Sequence, residues 1–220
     1  MNWGDSNGKK WEDYDTIVCP DGQEIDMQKL IDDQYRAKAA LTHTLPWVSG
    51  LISKLRFVYT FKVQTQATDG YNLFVNPQFT YNLDFTGKVF VMAHEVMHNL
   101  LNHLRRGKGH DPQKSNIAAD YECNITLADI KPFNEKMIKD LGAYIDKKYK
   151  GMGYEAIYNL VGDSARDNQN NKDQANQAQN NQQNQSGDSG GDSNNQQYSA
   201  DYKAGWKKAI EDYKAGKLKL

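Results

Sequence analysis

The chain has 220 residues, of which 38% are hydrophobic, and its formal net charge is −1 at pH 7. This length allows one modest domain with extensions, and the lack of net positive charge argues against binding to a nucleic-acid backbone. No apolar run could span a bilayer, and no charged-then-apolar leader follows Met1, so neither a membrane protein nor a conventionally secreted one is expected. Cys19 and Cys123 lack metal-binding spacing, which favours a reducing, cytoplasmic location, with Cys123 a small core residue.

The first 55 residues predict a polar arm followed by helices. Residues 1–24 are rich in polar residues, glycine and aspartate, and we expect them to form a flexible N-terminal arm. Apolar residues then recur at helical spacing from Asp26 to about Leu45, where Pro46 ends the pattern. A short second helix is expected within residues 47–55.

Two strands are predicted before the central motif of the chain. Residues 57–63 and 71–75 are rich in β-branched and aromatic residues, with a turn at 68–70 between them. Two strands of this kind can form a small sheet, and the edge of a sheet can pair with an extended peptide. The alternative is that these strands only cover the hydrophobic core.

A helix from Thr86 or Gly87 to about Arg106 carries the sequence HEVMH at residues 94–98. Because a helix turns about 100° per residue, His94 and His98 lie on one face, one turn apart, and can bind the same ion. Glu95 points to the side of this pair, where it can take a proton from a water bound to the metal. A catalytic Zn²⁺ accepts imidazole ligands and keeps one position open for water. The motif therefore predicts the core of a metallopeptidase that lacks one protein ligand.

The third metal ligand is predicted on the following helix, at about residues 115–129. Asp120 falls within the apolar arc of this helix, and a carboxylate that faces a core is costly unless it is paired or binds a metal. We therefore expect Asp120 to complete the site, and Asn124, one turn further on, to orient a ligand. The alternative for Asp120 is an ion pair with Arg105 or Arg106.

Other side chains compete with Asp120 as the third ligand. His103 lies five residues after His98 and would point about 140° away on a continuous helix, and residues 100–102 predict no break. His110 belongs to the loop that follows. Glu122 would suit zincins that use a glutamate, but it is predicted on the polar face of its helix.

The last third of the chain divides into three predicted parts. Residues 130–162 form a looped connection that ends in a short helix at 154–161, which closes a metallopeptidase domain at 25–162. Residues 163–197 consist mostly of Asn, Gln, Asp, Ser and Gly, so a disordered linker is expected. Residues 198–220 regain an amphipathic pattern and predict a tethered C-terminal helix that docks on a protein partner.

The ordered series of motifs resembles a bacterial and phage family named "putative metallopeptidase domain", whose members often precede a von Willebrand A-like domain. The matching features are the turn at 68–70, Asn76-Pro77, HEVMH with His103, Arg105-Arg106, NIAADY at 116–121 with Asn124, and GYEAIY at 153–158. The resemblance implies a zincin-like α+β fold, mostly helical, with a small sheet beside the motif helix. It also implies a metal held by His94, His98 and Asp120, with Glu95 as the base.

Three functions are compatible with these observations. The first is a zinc-dependent metalloendopeptidase that hydrolyses a peptide or protein substrate. The second is a non-catalytic, metal-stabilised binding module that acts through the helix at 198–220. The third, a protease acting on protein–DNA adducts, is disfavoured because one short basic cluster and a net charge of −1 provide little attraction for nucleic acid.

Overall fold

The computed structural model describes residues 4–161, and their N-terminal part differs from the expected flexible arm. Strands β1 (Thr16–Val18) and β2 (Glu24–Asp26) form an antiparallel hairpin in which Ile17 lies opposite Ile25. Both isoleucines are buried in the main core. The polar composition of residues 1–24 concealed this hairpin, because each three-residue strand contributes only one inward-facing side chain.

Helix α1 (Met27–Thr44) follows directly and confirms the helix predicted at 26–45. The Asp26 side chain accepts a hydrogen bond of 2.8 Å from the backbone N–H of Lys29, which caps the helix N-terminus. One face of α1 is buried at helical spacing by Met27, Leu30, Gln34, Ala37 and Leu41. A 3₁₀ turn at Pro46–Val48 and helix α2 (Ser49–Lys54) account for the short helix expected next.

A three-stranded sheet comprises β3 (Arg56–Tyr59), β4 (Gln66–Thr68) and β5 (Asn72–Val75). The strand order is β3-β5-β4, with β5 parallel to β3 and antiparallel to β4. Both predicted strands are therefore present, although β3 is shorter than expected. Strand β4 was not predicted, since three residues are too few to show a strand pattern and their order comes from pairing with β5.

Helix α4 (Phe85–Leu100) occupies the centre of the fold and carries the HEVMH sequence. A short helix, α3 (Pro77–Tyr81), precedes it. The Asp84 side chain caps α4 by accepting a hydrogen bond of 2.6 Å from the N–H of Gly87. Every residue from Gly87 to Met97 is buried, so α4 is surrounded by other elements rather than lying on the surface.

Helix α4 ends six residues earlier than the sequence predicted. Asn102 adopts a left-handed conformation (φ 58°, ψ 35°), and the chain restarts as helix α5 (His103–Arg106). Asparagine enters this region more readily than other non-glycine residues because its short polar side chain can bond locally. The expectation of an unbroken helix to Arg106 is therefore wrong, and the break turns His103 back toward the motif.

Helix α6 (Pro112–Ala128) packs against α4 and begins earlier than the expected Ser115. Its cap is Asp111, whose side chain accepts a hydrogen bond of 2.8 Å from the N–H of Lys114. Helix α7 (Glu135–Asp140) and a helix at 154–161, named α8, complete the described residues. Residues of α6 and α8 form a second core: Ile117, Ala118, Ala119, Tyr154, Ile157 and Val161, together with Tyr149.

The described residues confirm the α+β class, with helices predominating over two small sheets. Among them, no helix combines the length and apolar character required to cross a membrane. The linker predicted at 163–197 and the helix predicted at 198–220 lie outside the described residues.

A buried ion pair joins α1 to α4 and should contribute strongly to stability. Lys88 Nζ lies 2.9 Å from Asp33 Oδ2, and the Lys88 side chain is only 4% exposed. Asp33→Asn leaves this ammonium group without its carboxylate. We expect a loss of about 2–3 kcal/mol in the free energy of unfolding, below the roughly 3–5 kcal/mol of a fully buried pair because Asp33 keeps some contact with solvent. The measurement is urea unfolding near neutral pH.

Lys29→Ala is the matched control, since Lys29 also pairs with Asp33 but is 54% exposed, and it should cost no more than about 0.5 kcal/mol. Burial raises the pKa of Asp33, but hydrogen bonds from Lys88 and Lys29 lower it below the ordinary 3.8. The stability difference between wild type and Asp33→Asn should therefore have its full size at pH values above 3.8. It should decrease as the pH falls through the lowered pKa of Asp33. A difference that grows on acidification would contradict this account.

The left-handed conformation at Asn102 predicts how substitutions there are tolerated. Asn102→Val should lower the free energy of unfolding by about 1–2 kcal/mol, because a β-branched side chain is strained at positive φ. Asn102→Gly should stay within about 0.5 kcal/mol of wild type, since glycine enters this region freely. Equal stability of the two variants in urea unfolding would show that the helix break does not depend on this backbone conformation.

Candidate metal centre

Three ligand atoms from two helices converge on one point. The Nε2 atoms of His94 and His98 on α4 lie 3.0 Å apart. Asp120 Oδ1 on α6 lies 3.3 Å from each of these nitrogens. Nitrogen and oxygen ligands about 2.0–2.1 Å from a tetrahedral zinc are separated from one another by roughly 3.3 Å. The triangle therefore fits one face of a zinc coordination tetrahedron and leaves the fourth position to a non-protein group.

The packing of α6 against α4 brings Asp120 to the histidines, as its place in the apolar arc of the helix predicted. Its residue surface is 7% exposed, and Asn116 Nδ2 donates a hydrogen bond of 3.2 Å to Oδ2, which leaves Oδ1 facing the imidazoles. The alternative ion pair with Arg105 or Arg106 is not formed. Arg106 pairs with Glu122 and Glu155 instead.

The electrostatics of these three residues favour a positive charge between them. Burial raises the pKa of Asp120, but hydrogen bonds with His94 and His98 outweigh this and hold that pKa well below its usual range. Burial lowers the pKa of His94, yet the hydrogen bond and charge of Asp120 raise it to about 9. Burial lowers the pKa of His98 to about 4. An ionised carboxylate beside two imidazoles is a donor set suited to a divalent cation.

The side chain of Glu95 is largely buried beside this triangle. Burial raises the pKa of its carboxyl group to about 8, with the charge of His94 lowering it and that of Asp120 raising it. Within the part of the chain that the structure describes, no hydrogen bond or ion pair engages this carboxylate. A carboxyl group with a pKa near neutrality can both accept and return a proton, which is the requirement for a general acid–base residue.

Asn124 contacts His94, as the sequence predicted for a residue that orients a ligand. Its Oδ1 lies 2.8 Å from His94 Nδ1, while its Nδ2 donates a hydrogen bond of 2.8 Å to the backbone oxygen of Tyr144. The second bond fixes the amide so that oxygen faces the imidazole. In the neutral form of His94, which is the form that can bind a metal, Nδ1 must then carry the hydrogen, and Nε2 keeps its lone pair toward Asp120 and His98.

Cys123 is a competing ligand near the pair, although it is also buried in the main core, as the sequence predicted. Its Sγ and one ring nitrogen each of His94 and His98 all lie within 4.8 Å of one another. Burial raises the pKa of the Cys123 thiol well above its usual value, whereas a metal ligand must be a thiolate. Asp120 Oδ1 lies 3.3 Å from both Nε2 atoms and is already ionised, so these distances and the charge favour the carboxylate.

The sequence offers His103 and Glu122 as rival ligands, and the structure gives them different contacts. His103 Nδ1 lies 3.1 Å from His98 Nδ1, the ring nitrogen that faces away from Asp120. His103 Nε2 lies 2.7 Å from Glu122 Oε2, so Glu122 is not on a purely solvated face. His110 is outside the site, with its Nδ1 2.8 Å from the hydroxyl of Tyr154.

A buried helix with the HExxH spacing, faced by a carboxylate from a neighbouring helix, is an arrangement typical of metallopeptidases. Residues 31–216 match the family described as "Putative metallopeptidase domain", and the chain belongs to that family, as its motifs indicated. No match was found among curated proteins or among solved structures.

The choice between Asp120 and Cys123 can be tested by metal affinity. Asp120→Ala should weaken zinc binding by more than about 100-fold, beyond the effect typical of removing a group that only supports a ligand. Cys123→Ala should bind zinc within about threefold of wild type. Zinc affinity is measured by competition with a chromophoric chelator, and circular dichroism checks that each variant is folded. If Cys123→Ala weakened zinc binding more than Asp120→Ala did, the third ligand would be Cys123 instead.

Proposed function

We propose that the protein is a zinc-dependent metalloendopeptidase with a zincin-like arrangement of its site. The observation that carries this proposal is the triangle of His94 Nε2, His98 Nε2 and Asp120 Oδ1, with sides of 3.0–3.3 Å. Glu95 lies next to the triangle with no other partner in the described residues. This combination of three protein ligands, an open fourth position and a free carboxylate is what metal-assisted hydrolysis requires.

The position of the small sheet supports a peptide as the substrate. Strand β4 is at the edge of the sheet and packs against α4. Asn99, the residue after His98, donates a hydrogen bond of 3.2 Å from Nδ2 to Thr68 Oγ1 at the end of β4. An extended peptide aligned with this strand would pass close to His98, and main-chain pairing at a sheet edge is a common way to bind such a segment.

The reaction needs residues that bind the zinc ion and a residue that transfers a proton, and the chain offers both. His94, His98 and Asp120 would hold the zinc ion, which when bound activates water and polarises the scissile carbonyl group. Glu95 accepts a proton from the attacking water and donates it to the leaving amine as the C–N bond breaks. The burial of Glu95 supports this role, because it brings the carboxyl pKa close to neutrality.

We also propose a cytoplasmic location, since both cysteines are buried free thiols, as is usual in a reducing compartment. The alternative function, binding through the helix predicted at 198–220, depends on residues outside those described. No observation on residues 4–161 favours it over hydrolysis.

Glu95→Gln tests the proposed reaction. The variant should retain zinc but lose about 10²–10⁴-fold in cleavage rate, since the amide cannot accept the proton of the attacking water. Cleavage is followed by mass spectrometry on a peptide library and on denatured casein, and bound zinc is measured on the same samples.

Glu135→Gln serves as the control, because Glu135 lies on α7 and forms surface ion pairs with Lys139 and Lys147. It should cleave at the wild-type rate. Undiminished cleavage by zinc-loaded Glu95→Gln would rule out Glu95 as the base.

A further inference from the structure

A chain of hydrogen bonds connects His98, at the candidate metal site, through His103 to Glu122 on α6. His98 Nδ1 lies 3.1 Å from His103 Nδ1, and His103 Nε2 lies 2.7 Å from Glu122 Oε2. His103 and Glu122 are both largely buried, with side chains 4% and 12% exposed. Neither residue is placed to bind the ion, because the contact is made to the nitrogen of His98 that faces away from Asp120.

The chemistry of each partner decides where the hydrogens lie. A carboxylate only accepts hydrogen bonds, so His103 Nε2 must donate to Glu122. A neutral imidazole carries one N–H, so His103 Nδ1 is then an acceptor, and His98 Nδ1 must donate to it. His98 Nε2 is left with a lone pair, directed toward Asp120 and His94. The Cys123 thiol, with Sγ 3.7 Å from His103 Nδ1, is a weak donor and agrees with this assignment.

We infer that His103 and Glu122 are positioning residues that fix the tautomer of His98 and direct its Nε2 toward the metal. This inference rests on the metal site of the proposed function. It parallels the role of Asn124, whose amide oxygen accepts from Nδ1 of the other histidine at 2.8 Å. The two metal-facing imidazoles thus have different acceptors, a neutral amide for His94 and an imidazole backed by a carboxylate for His98. Acceptors of this kind orient metal-bound histidines and increase their basicity.

The Glu122 carboxylate is held in place by a second layer of contacts. Arg106 Nη1 donates to Glu122 Oε2 at 3.0 Å and to the backbone oxygen of Leu101 at 3.0 Å. The same guanidinium group binds Glu155 of α8 through two further hydrogen bonds of 2.9 and 2.7 Å. A guanidinium with planar, paired donors fixes the orientation of both carboxylates. The helix at 154–161 is therefore connected to His98 through Arg106, Glu122 and His103.

The left-handed residue Asn102 makes this arrangement possible. On a continuous helix His103 would point about 140° away from His98. The helix breaks at Asn102, where φ is 58°, and the ring centroids of His103 and His98 lie 5.1 Å apart.

Three variants of the full chain test the inference by their affinity for zinc alone. His103→Leu removes the acceptor of the buried His98 Nδ1–H and should weaken zinc binding by about 10–100-fold. His103→Asn places an amide oxygen near the position of Nδ1, as Asn124 does for His94, and should restore affinity to within about threefold of wild type. His110→Leu, a histidine nearby that contacts Tyr154 instead, should have wild-type affinity.

The outcomes separate this inference from the proposed function. Zinc binding by His103→Leu within about threefold of wild type would overturn it, as would equal weakening by His103→Leu and His103→Asn, which would indicate packing rather than an acceptor. If a variant does not fold, long-range ¹⁵N NMR of the zinc-loaded wild type decides the question. The inference requires hydrogens on His98 Nδ1 and His103 Nε2, and a hydrogen on His103 Nδ1 overturns it. Failure of the wild type to bind zinc would instead overturn the proposed function.

Discussion

At the contact between helices α4 and α6, the carboxylate of Asp120 lies buried against the imidazoles of His94 and His98. A buried carboxylate without a partner would strongly oppose this packing, because ionised groups lose several kcal/mol of hydration in a protein interior. The two imidazoles reduce that penalty, and a divalent cation bound between these groups would reduce it further. The same interaction therefore joins the two helices and defines the candidate site, so that metal binding and tertiary packing are expected to support each other.

The residues around this contact orient His94, His98 and Asp120 so that their lone pairs face the same point. Asn124 fixes His94, and Asn116 occupies the outer oxygen of Asp120. His103 contacts His98 Nδ1, on the side of the ring that faces away from Asp120, and Glu122 in turn contacts His103. Glu95 is the exception, a largely buried carboxylate that interacts with the charges of His94 and Asp120 but forms no hydrogen bond or ion pair with residues 4–161. Local violations of good packing chemistry are typical of functional sites, where a group is kept available for reaction.

Helix α8 stabilises the site from a distance through an aromatic and charged contact with α5 and α6. The hydroxyl of Tyr154 is 2.6 Å from Ser115 Oγ, and the Arg106 guanidinium lies over the Tyr154 ring. A Cβ atom at Gly107 would lie 2.6 Å from Ser115 Oγ, so any larger residue there would require a shift. This close approach favours glycine at position 107. The contacts of Tyr154 with Ser115 and Arg106 join the GYEAIY sequence to α5 and α6.

The sequence by itself determined the features that depend on local periodicity. Helical spacing places His94, Glu95 and His98 in one turn and puts Asp120 on an apolar arc, and apolar periodicity that ends at Pro46 defines α1. Only the tertiary structure decided the hairpin at 16–26, strand β4, and the contact of His103 with His98 and Glu122. These features depend on a single left-handed residue or on partners distant in the chain, and neither produces a repeating pattern. Periodicity records which face of an element is buried, whereas the neighbour that covers that face is set by the packing of the whole chain.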